Sequence, residues 1–153
     1  FVPTGNPSPD YFRPGEVPLD YYGSALIALR GSTGEVVWHF QFVHNDHWDF
    51  DTPAQPTLMD IERDGETIPA VVQATKMGFL FAFNRETGEP LFEIEERPVP
   101  QMHFEGDTIS PTQPFPVLPP PLVPTSLTKD DAWGLTPWDK GQCKKIIEGL
   151  RFE

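Results

Sequence analysis

Proline has no backbone N–H to give to a hydrogen-bond ladder, and its ring clashes with the preceding helical turn. It is tolerated at sheet edges, bulges, turns and first helical turns, and seldom elsewhere. This chain carries 19 prolines in 153 residues. That density excludes long helices and broad sheets of uninterrupted strands, and leaves short strands joined by stiff loops. The 12 phenylalanines and 4 tryptophans give such strands a core to face. Apolar residues make up 38% of the chain, a little low for a compact globule, but this aromatic content does not belong to a disordered one. From Pro98 to Pro124 the prolines crowd around Pro119-Pro120-Pro121. That stretch predicts an ordered excursion or extended loop, not a sheet interior.

The formal net charge of −12 argues against a nucleic-acid backbone or an anionic membrane surface as partner. Cys143 stands alone, which excludes an internal disulfide and a cysteine zinc site; on a short helix it reads as a small apolar side chain. No run reaches the ~18 apolar residues of a transmembrane helix, and no signal peptide is visible. Phe1-Val2-Pro3 opens like the middle of a strand, so the chain reads as a piece of a longer protein.

Strands are predicted at Ser24 to Leu29, Glu35 to Phe42, Leu58 to Ile61, Ala70 to Ala74, Phe79 to Asn84 and Leu91 to Ile94. Residues 1 to 23 read as loop. Two of the hairpins repeat each other. Ala28-Leu29-Arg30-Gly31-Ser32-Thr33-Gly34-Glu35-Val36-Val37-Trp38 and Ala82-Phe83-Asn84-Arg85-Glu86-Thr87-Gly88-Glu89-Pro90-Leu91-Phe92 share Ala, an apolar residue, Thr-Gly-Glu, an apolar residue and an aromatic, at an offset of 54 residues. Self-similarity at a period near ~40–50 residues, with several short strands per unit, is the pattern of a propeller blade. The tail holds two helix starts. Thr128 with Asp131 caps a first turn, and Thr136-Pro137 with Asp139 caps a longer one whose apolar face would be Ile146, Ile147 and Leu150.

The segment densest in chemistry runs from Val43 to Pro56 and holds His44, Asp46, His47, Trp48, Asp49 and Asp51. Short Asp side chains in such a loop can simply bond their own backbone. His44 and His47 lack the ligand pattern of a zinc site. The order of segments is more specific. Trp48-Asp49-Phe50-Asp51 runs into Pro53-Ala54-Gln55-Pro56 after a hairpin ending Trp38-His39-Phe40-Gln41. It is flanked by Gly5-Asn6-Pro7-Ser8-Pro9, Ala74-Thr75-Lys76-Met77-Gly78, Ser110-Pro111-Thr112-Gln113-Pro114-Phe115 and Asp130-Asp131-Ala132-Trp133-Gly134.

Together these segments resemble the quinoprotein dehydrogenases that use pyrroloquinoline quinone, and most nearly the membrane-bound glucose dehydrogenase branch. The hairpin repeat is similar to that family's blade-docking motif, with Arg30 and Asn84 at its Asp position, Glu35 and Glu89 at its Lys position, and Phe92 in place of the second Trp. The resemblance implies an all-β fold: about two blades of an eight-bladed β-propeller. It places blade-like repeats near 24–60 and 70–97, a Pro-rich excursion over 98–127 and a short helical tail over 128–150. It implies oxidation of a sugar or polyol, glucose first and quinate next, with electrons passed to ubiquinone on the periplasmic side of the inner membrane. It implies Asp49 as the base, Asn6 and Asp49 as calcium ligands and Lys76 as the quinone contact, with Asp51 the competing carboxylate. The chemistry suits those types: a carboxylate takes a hydroxyl proton, calcium binds oxygen donors, and an ammonium stabilises developing negative charge. The chain is expected to be inactive alone and to self-associate through unpaired sheet edges. The competing reading is a non-catalytic propeller segment that binds proteins. Asn6, Asp49 and Lys76 in this order discriminate against it.

Overall fold

The computed structural model describes residues 1–11, 20–101 and 105–150. The chain forms two compact units, residues 1–122 and residues 123–153. The first unit is built of antiparallel strands. Strand β1 (Val2–Pro3) pairs with β2 (Ala25–Leu29), and β2 pairs with β3 (Val36–Gln41). A second sheet follows in simple order, β4 (Thr57–Arg63), β5 (Glu66–Ala74) and β6 (Leu80–Asn84). A two-stranded ribbon of β7 (Ile94–Pro98) and β8 (Thr112–Pro116) completes the unit.

The two three-stranded sheets meet through aromatic rings. Alternation along β3 turns Trp38 and Phe40 to one side, and Phe42 continues that row just past the strand. Phe40 lies 4.9 Å from Phe83 and 5.7 Å from Phe81, and Phe42 lies 4.9 Å from Phe81, centroid to centroid. Leu26, Phe42, Val43, Val71, Phe79, Phe81 and Phe83 form the buried core. The offset and tilted ring pairs suit the quadrupoles of the rings, which disfavour a face-to-face sandwich.

The sequence repeat is a repeat of structure. In each copy the glycine of Thr-Gly-Glu has positive φ, 78° at Gly34 and 80° at Gly88. The closing bonds match as well: Arg30 N–H to Glu35 O and Asn84 N–H to Glu89 O are both 2.8 Å. Trp38 from the first copy lies on the turn of the second. Its Nε1 donates to Arg85 O at 3.2 Å, and a Cβ built on Gly88 would stand 2.7 Å from Trp38 Cγ. Glycine is therefore required at position 88 twice over, by its φ and by the indole against it. Asn84 substitutes well for Asp in this motif, because its Oδ1 accepts from the amides of Glu86 and Thr87 at 2.9 and 3.3 Å.

The strand expected at Leu91 to Ile94 does not form as such. In the first copy Val36 begins β3, and Pro90 holds the matching position in the second copy. The second copy keeps one isolated bridge, Phe83 with Pro90. The chain then leaves the sheet and pairs over Ile94–Pro98 with β8. Part of the Pro-rich excursion is thus a strand after all. A two-stranded ribbon consists only of edges, and edges tolerate proline. The expectation of loop over residues 1 to 23 misses β1 and a short 3-10 turn at Asp20–Tyr22. The strand ends Ser24, Glu35, Phe42 and Phe79 each fall one residue outside the observed strands.

In the second unit a 3-10 turn (Lys129–Asp131) and helix α1 (Pro137–Gly149) both start with a capping box, from Thr128 with Asp131 and Thr136 with Asp139. Of the expected apolar face only Ile147 is buried; Ile146 and Leu150 are exposed. Cys143 is half-buried.

Candidate active site

The loop from Val43 to Pro56 links the first sheet to the second, and it is held on every side. Asp46, buried at 1% exposure, supports it from within. Its Oδ2 accepts from Ser24 Oγ at 2.6 Å and from Phe50 N–H at 2.8 Å, and its Oδ1 accepts from Trp48 N–H at 2.9 Å. A buried carboxylate is costly unless its oxygens are hydrogen-bonded, and these three donors meet that cost while folding residues 46 to 50 into a tight turn. Downstream, Gln73 on β5 is fully buried and its Nε2 donates to Ala54 O at 2.9 Å. Thr52 N–H donates to Thr4 O at 3.3 Å.

Asp49 sits at the crest of this turn with φ of 58°, a left-handed conformation that Asp tolerates better than most residues. Lys76, in the turn after β5, reaches across to it. Lys76 Nζ donates to the Asp49 backbone carbonyl and stands 3.2 Å from Asp49 Oδ2. Both side chains are partly exposed, at 45% for Lys76 and 32% for Asp49, so they face a surface that solvent or a ligand can reach. The structure therefore unites two of the expected site residues, which lie 27 positions apart in the chain.

Asn6 is fastened to the same loop through Asp51. Asn6 N–H donates to Asp51 Oδ1 at 2.7 Å. Gly5 makes that approach possible, since a Cβ there would stand 2.4 Å from Asp51 Oδ1. The Asn6 side chain donates from Nδ2 to Asp10 Oδ1 at 3.2 Å, while its Oδ1 is buried with no hydrogen-bond partner. An orphaned amide oxygen beside a loop that carries Asp49 and Asp51 is the donor chemistry a calcium ion takes. Among the described residues no three His, Cys, Asp or Glu side chains converge to hold a metal. Asn6 Oδ1 and the loop carboxylates are oxygen donors of the type that fits a hard, oxygen-seeking cation.

The histidines do not converge either. His47 is buried and its Nδ1 stands 3.0 Å from Asp107 Oδ2, with both side chains almost sealed from solvent. His44 bridges outward, with Nδ1 2.8 Å from Gln41 Oε1 and Nε2 3.0 Å from Glu96 Oε1. Burial acts to raise the Glu96 carboxyl pKa, but hydrogen bonds from His44 and Thr112 and the charge of His44 outweigh it, so the group lies below its ordinary value. A carboxyl whose folded pKa is depressed stabilises the fold above its unfolded pKa, and that contribution is lost as pH falls through the folded value. Between about pH 5 and pH 3, around the ordinary Glu pKa of ~4.3, the urea midpoint should therefore fall more steeply for the native protein than for Glu96→Gln. Parallel curves would mean that the pair contributes nothing. The effect should be small, because the Glu96 side chain is half exposed.

Asp46, Gln73, Asp107 and Gln113 help build this site, and the sequence alone assigns none of them a role in it. Asp46 has a local cue, since its oxygens bond amides two and four residues on, as Asp does in turns. Gln113 has none, because its partner His44 lies 69 residues away.

A further groove of about 350 Å³ lies on the second sheet, lined by Ile61, Val72, Leu80, Ala82, Phe92 and Leu118–Pro120. Its lining is apolar throughout and offers nothing to redox chemistry.

The chain is similar to known proteins along its whole length. The family described as glucose/ethanol/alcohol dehydrogenase, β-propeller domain (PQQ) matches residues 1–153. The chain is 41% identical over its whole length to a probable quinate dehydrogenase (quinone) of Xanthomonas campestris pv. juglandis, covering 20% of that protein. It is 38% identical, again over its whole length, to the quinoprotein glucose dehydrogenase of Escherichia coli K12, covering 19% of it. Over 94% of its length it is 41% identical to the glycerol dehydrogenase large subunit of Gluconobacter thailandicus, covering 20% of it. The chain thus spans about one-fifth of the length of these relatives. Among solved structures, a quinohemoprotein alcohol dehydrogenase from Pseudomonas putida HK5 superposes on 53% of the chain at 28% identity, covering 13% of that protein, with a TM-score of 0.45.

Proposed function

The chain belongs to the pyrroloquinoline-quinone family of dehydrogenase β-propeller domains, and from that premise we propose that it is the segment carrying the base and the quinone-facing lysine of a sugar, polyol or quinate dehydrogenase. The observation that supports this reading best is the 3.2 Å contact between Lys76 and Asp49. Two partly exposed, oppositely charged groups from separate segments stand together at the crest of a turn that buried polar groups hold rigid.

Pyrroloquinoline quinone, when bound, supplies the oxidant for the alcohol carbon. Asp49 takes the proton of the substrate hydroxyl on its carboxylate. Lys76 orients Asp49 and offers its ammonium to the negative charge that develops on reduction. Asn6 Oδ1 and the Asp49 carboxylate would hold the calcium ion. Asp46 keeps the turn closed around them.

The substrate is a polyhydroxy compound, with glucose first and quinate next. Named relatives of similar identity act on each, and on glycerol, so identity alone does not rank them. Electron transfer to ubiquinone on the periplasmic side of the inner membrane belongs to the same proposal. So does the division into blade-like repeats near 24–60 and 70–97, an excursion over 98–127 and a tail over 128–150. Alone, the segment is inactive and self-associates through the open edges of its sheets.

The test is to load the complete propeller that carries this segment with calcium and pyrroloquinoline quinone, then follow dye reduction with glucose, quinate, glycerol and ethanol. Turnover of a polyhydroxy substrate well above ethanol is expected. A protein that binds the quinone but oxidises only ethanol overturns the substrate class, and one that binds no quinone overturns the function.

A further inference from the structure

The turn that carries Asp49 is closed from inside by Asp46, but its outer side rests on a different part of the chain. His44 N–H donates to Gln113 Oε1 at 2.7 Å, and Gln113 Nε2 donates back to His44 O at 2.8 Å. One side-chain amide thus pairs with both polar groups of a loop residue, as a neighbouring strand would. Asn45 Nδ2 donates to Thr108 O. His47 meets Asp107 at 3.0 Å, with side-chain exposures of 4% and 3%. Three residues of the loop in a run of four therefore bind the stretch from Asp107 to Gln113, and Asp49 follows two positions later. Asn45 and Asp49 both have positive φ, 46° and 58°. Residues other than glycine persist in that region where their surroundings hold them.

We infer that Gln113 and the His47–Asp107 pair are positioning residues that clamp the 107–113 stretch onto the loop and so fix where the Asp49 carboxylate stands. The inference deepens the proposed function and rests on its assignment of Asp49 as the base. Gln113 sits on β8, whose ladder partner β7 carries Glu96, the partner of His44. The excursion that interrupts the repeat thus serves as a strut. Its edge strand holds an amide that a loop could not hold steady. The His47–Asp107 contact, sealed from solvent, ties the same strut to the loop at a second point.

The experiment uses the complete propeller and two variants, Gln113→Ala and the isosteric Gln113→Glu, whose second oxygen cannot donate to His44 O. Each is made alone and with Asp49→Asn. A residue that acts through Asp49 loses its effect once Asp49 is disabled, whereas a merely structural residue lowers turnover by the same factor in both backgrounds. We expect kcat to fall about tenfold when Asp49 is intact, with KM for the substrate within twofold, and no further fall when Asp49→Asn is already present. Equal factors in both backgrounds, or no fall in kcat, overturn the inference. Hydrogen exchange of the metal-free, quinone-free protein gives a readout independent of activity. Amides of residues 44 to 51 should exchange at least tenfold faster in Gln113→Glu than in the native protein, and unchanged exchange overturns the clamp even if the protein proves to have no dehydrogenase activity. Loss of quinone binding or turnover in the native protein would instead sink the proposed function while leaving the exchange result to judge the clamp.

Discussion

Replacing Asp49 by Asn in the complete propeller should lower kcat by about 10²–10⁴-fold at saturating calcium and quinone, the range that a positioned general base contributes. The substitution changes little besides the charge. Asn fits the left-handed backbone at φ 58° as well as Asp does. Its amide oxygen can still accept from Lys76, and the main-chain carbonyl that Lys76 also uses is untouched. What disappears is the group able to take the proton. Asp51→Asn is the informative contrast. Asp51 holds the backbone of Asn6 at 2.7 Å, so its loss should weaken metal binding and be largely rescued by excess calcium. A large loss of kcat in Asp51→Asn at saturating calcium, with Asp49→Asn near the native rate, would move the base to Asp51.

Phe42→Ala should destabilise the fold by about 3–5 kcal/mol, the cost of emptying a large aromatic site in a close-packed core. Phe42 is 1% exposed. Its ring lies 5.5 Å from Phe40 and 4.9 Å from Phe81, one on its own sheet and one on the facing sheet. No neighbouring side chain can fill the space without leaving its own partner, because Phe40 also contacts Phe83 and Phe81 stacks beside Phe83. Whole domains are stable by about 5–15 kcal/mol, so a loss of this size should move the urea midpoint far, or abolish the cooperative transition. A loss below ~1 kcal/mol would mean that the two sheets do not share a core. The consequence reaches the site as well, since the loop begins at Val43, the next residue and itself buried.

The hairpins were legible because their signals are local. Alternation in Val36 to Phe42 and the two Thr-Gly-Glu turns specify strands and a positive φ within a dozen residues. The strand at Leu91 was misplaced because the repeat argued for it, whereas after the single bridge at Pro90 the chain leaves the second sheet and pairs as β7 with β8. β8 was hidden for the complementary reason. Proline density argues against a sheet interior, but Gln113 and its neighbours lie in a ribbon that has no interior. The capping residues Thr128 and Thr136 were readable because a cap and its partner lie three residues apart.

The candidate site divides in the same way. Asp49, Asn6 and Lys76 could be named as candidates from the family resemblance that the order of segments carries, which needs no distance. Patterns of period two and turn chemistry act over a few residues, so a β chain of repeated hairpins with a carboxylate-rich loop between them is readable from the amino acids alone. That Lys76 meets Asp49 while Asn6 meets Asp51, that Asp46 is a buried brace, and that Gln113 backs the loop all follow from the packed fold. Those contacts span 22 to 69 positions. Their geometry depends on how two sheets pack through Trp38, Phe40 and Phe42, and no short stretch of chain encodes that packing.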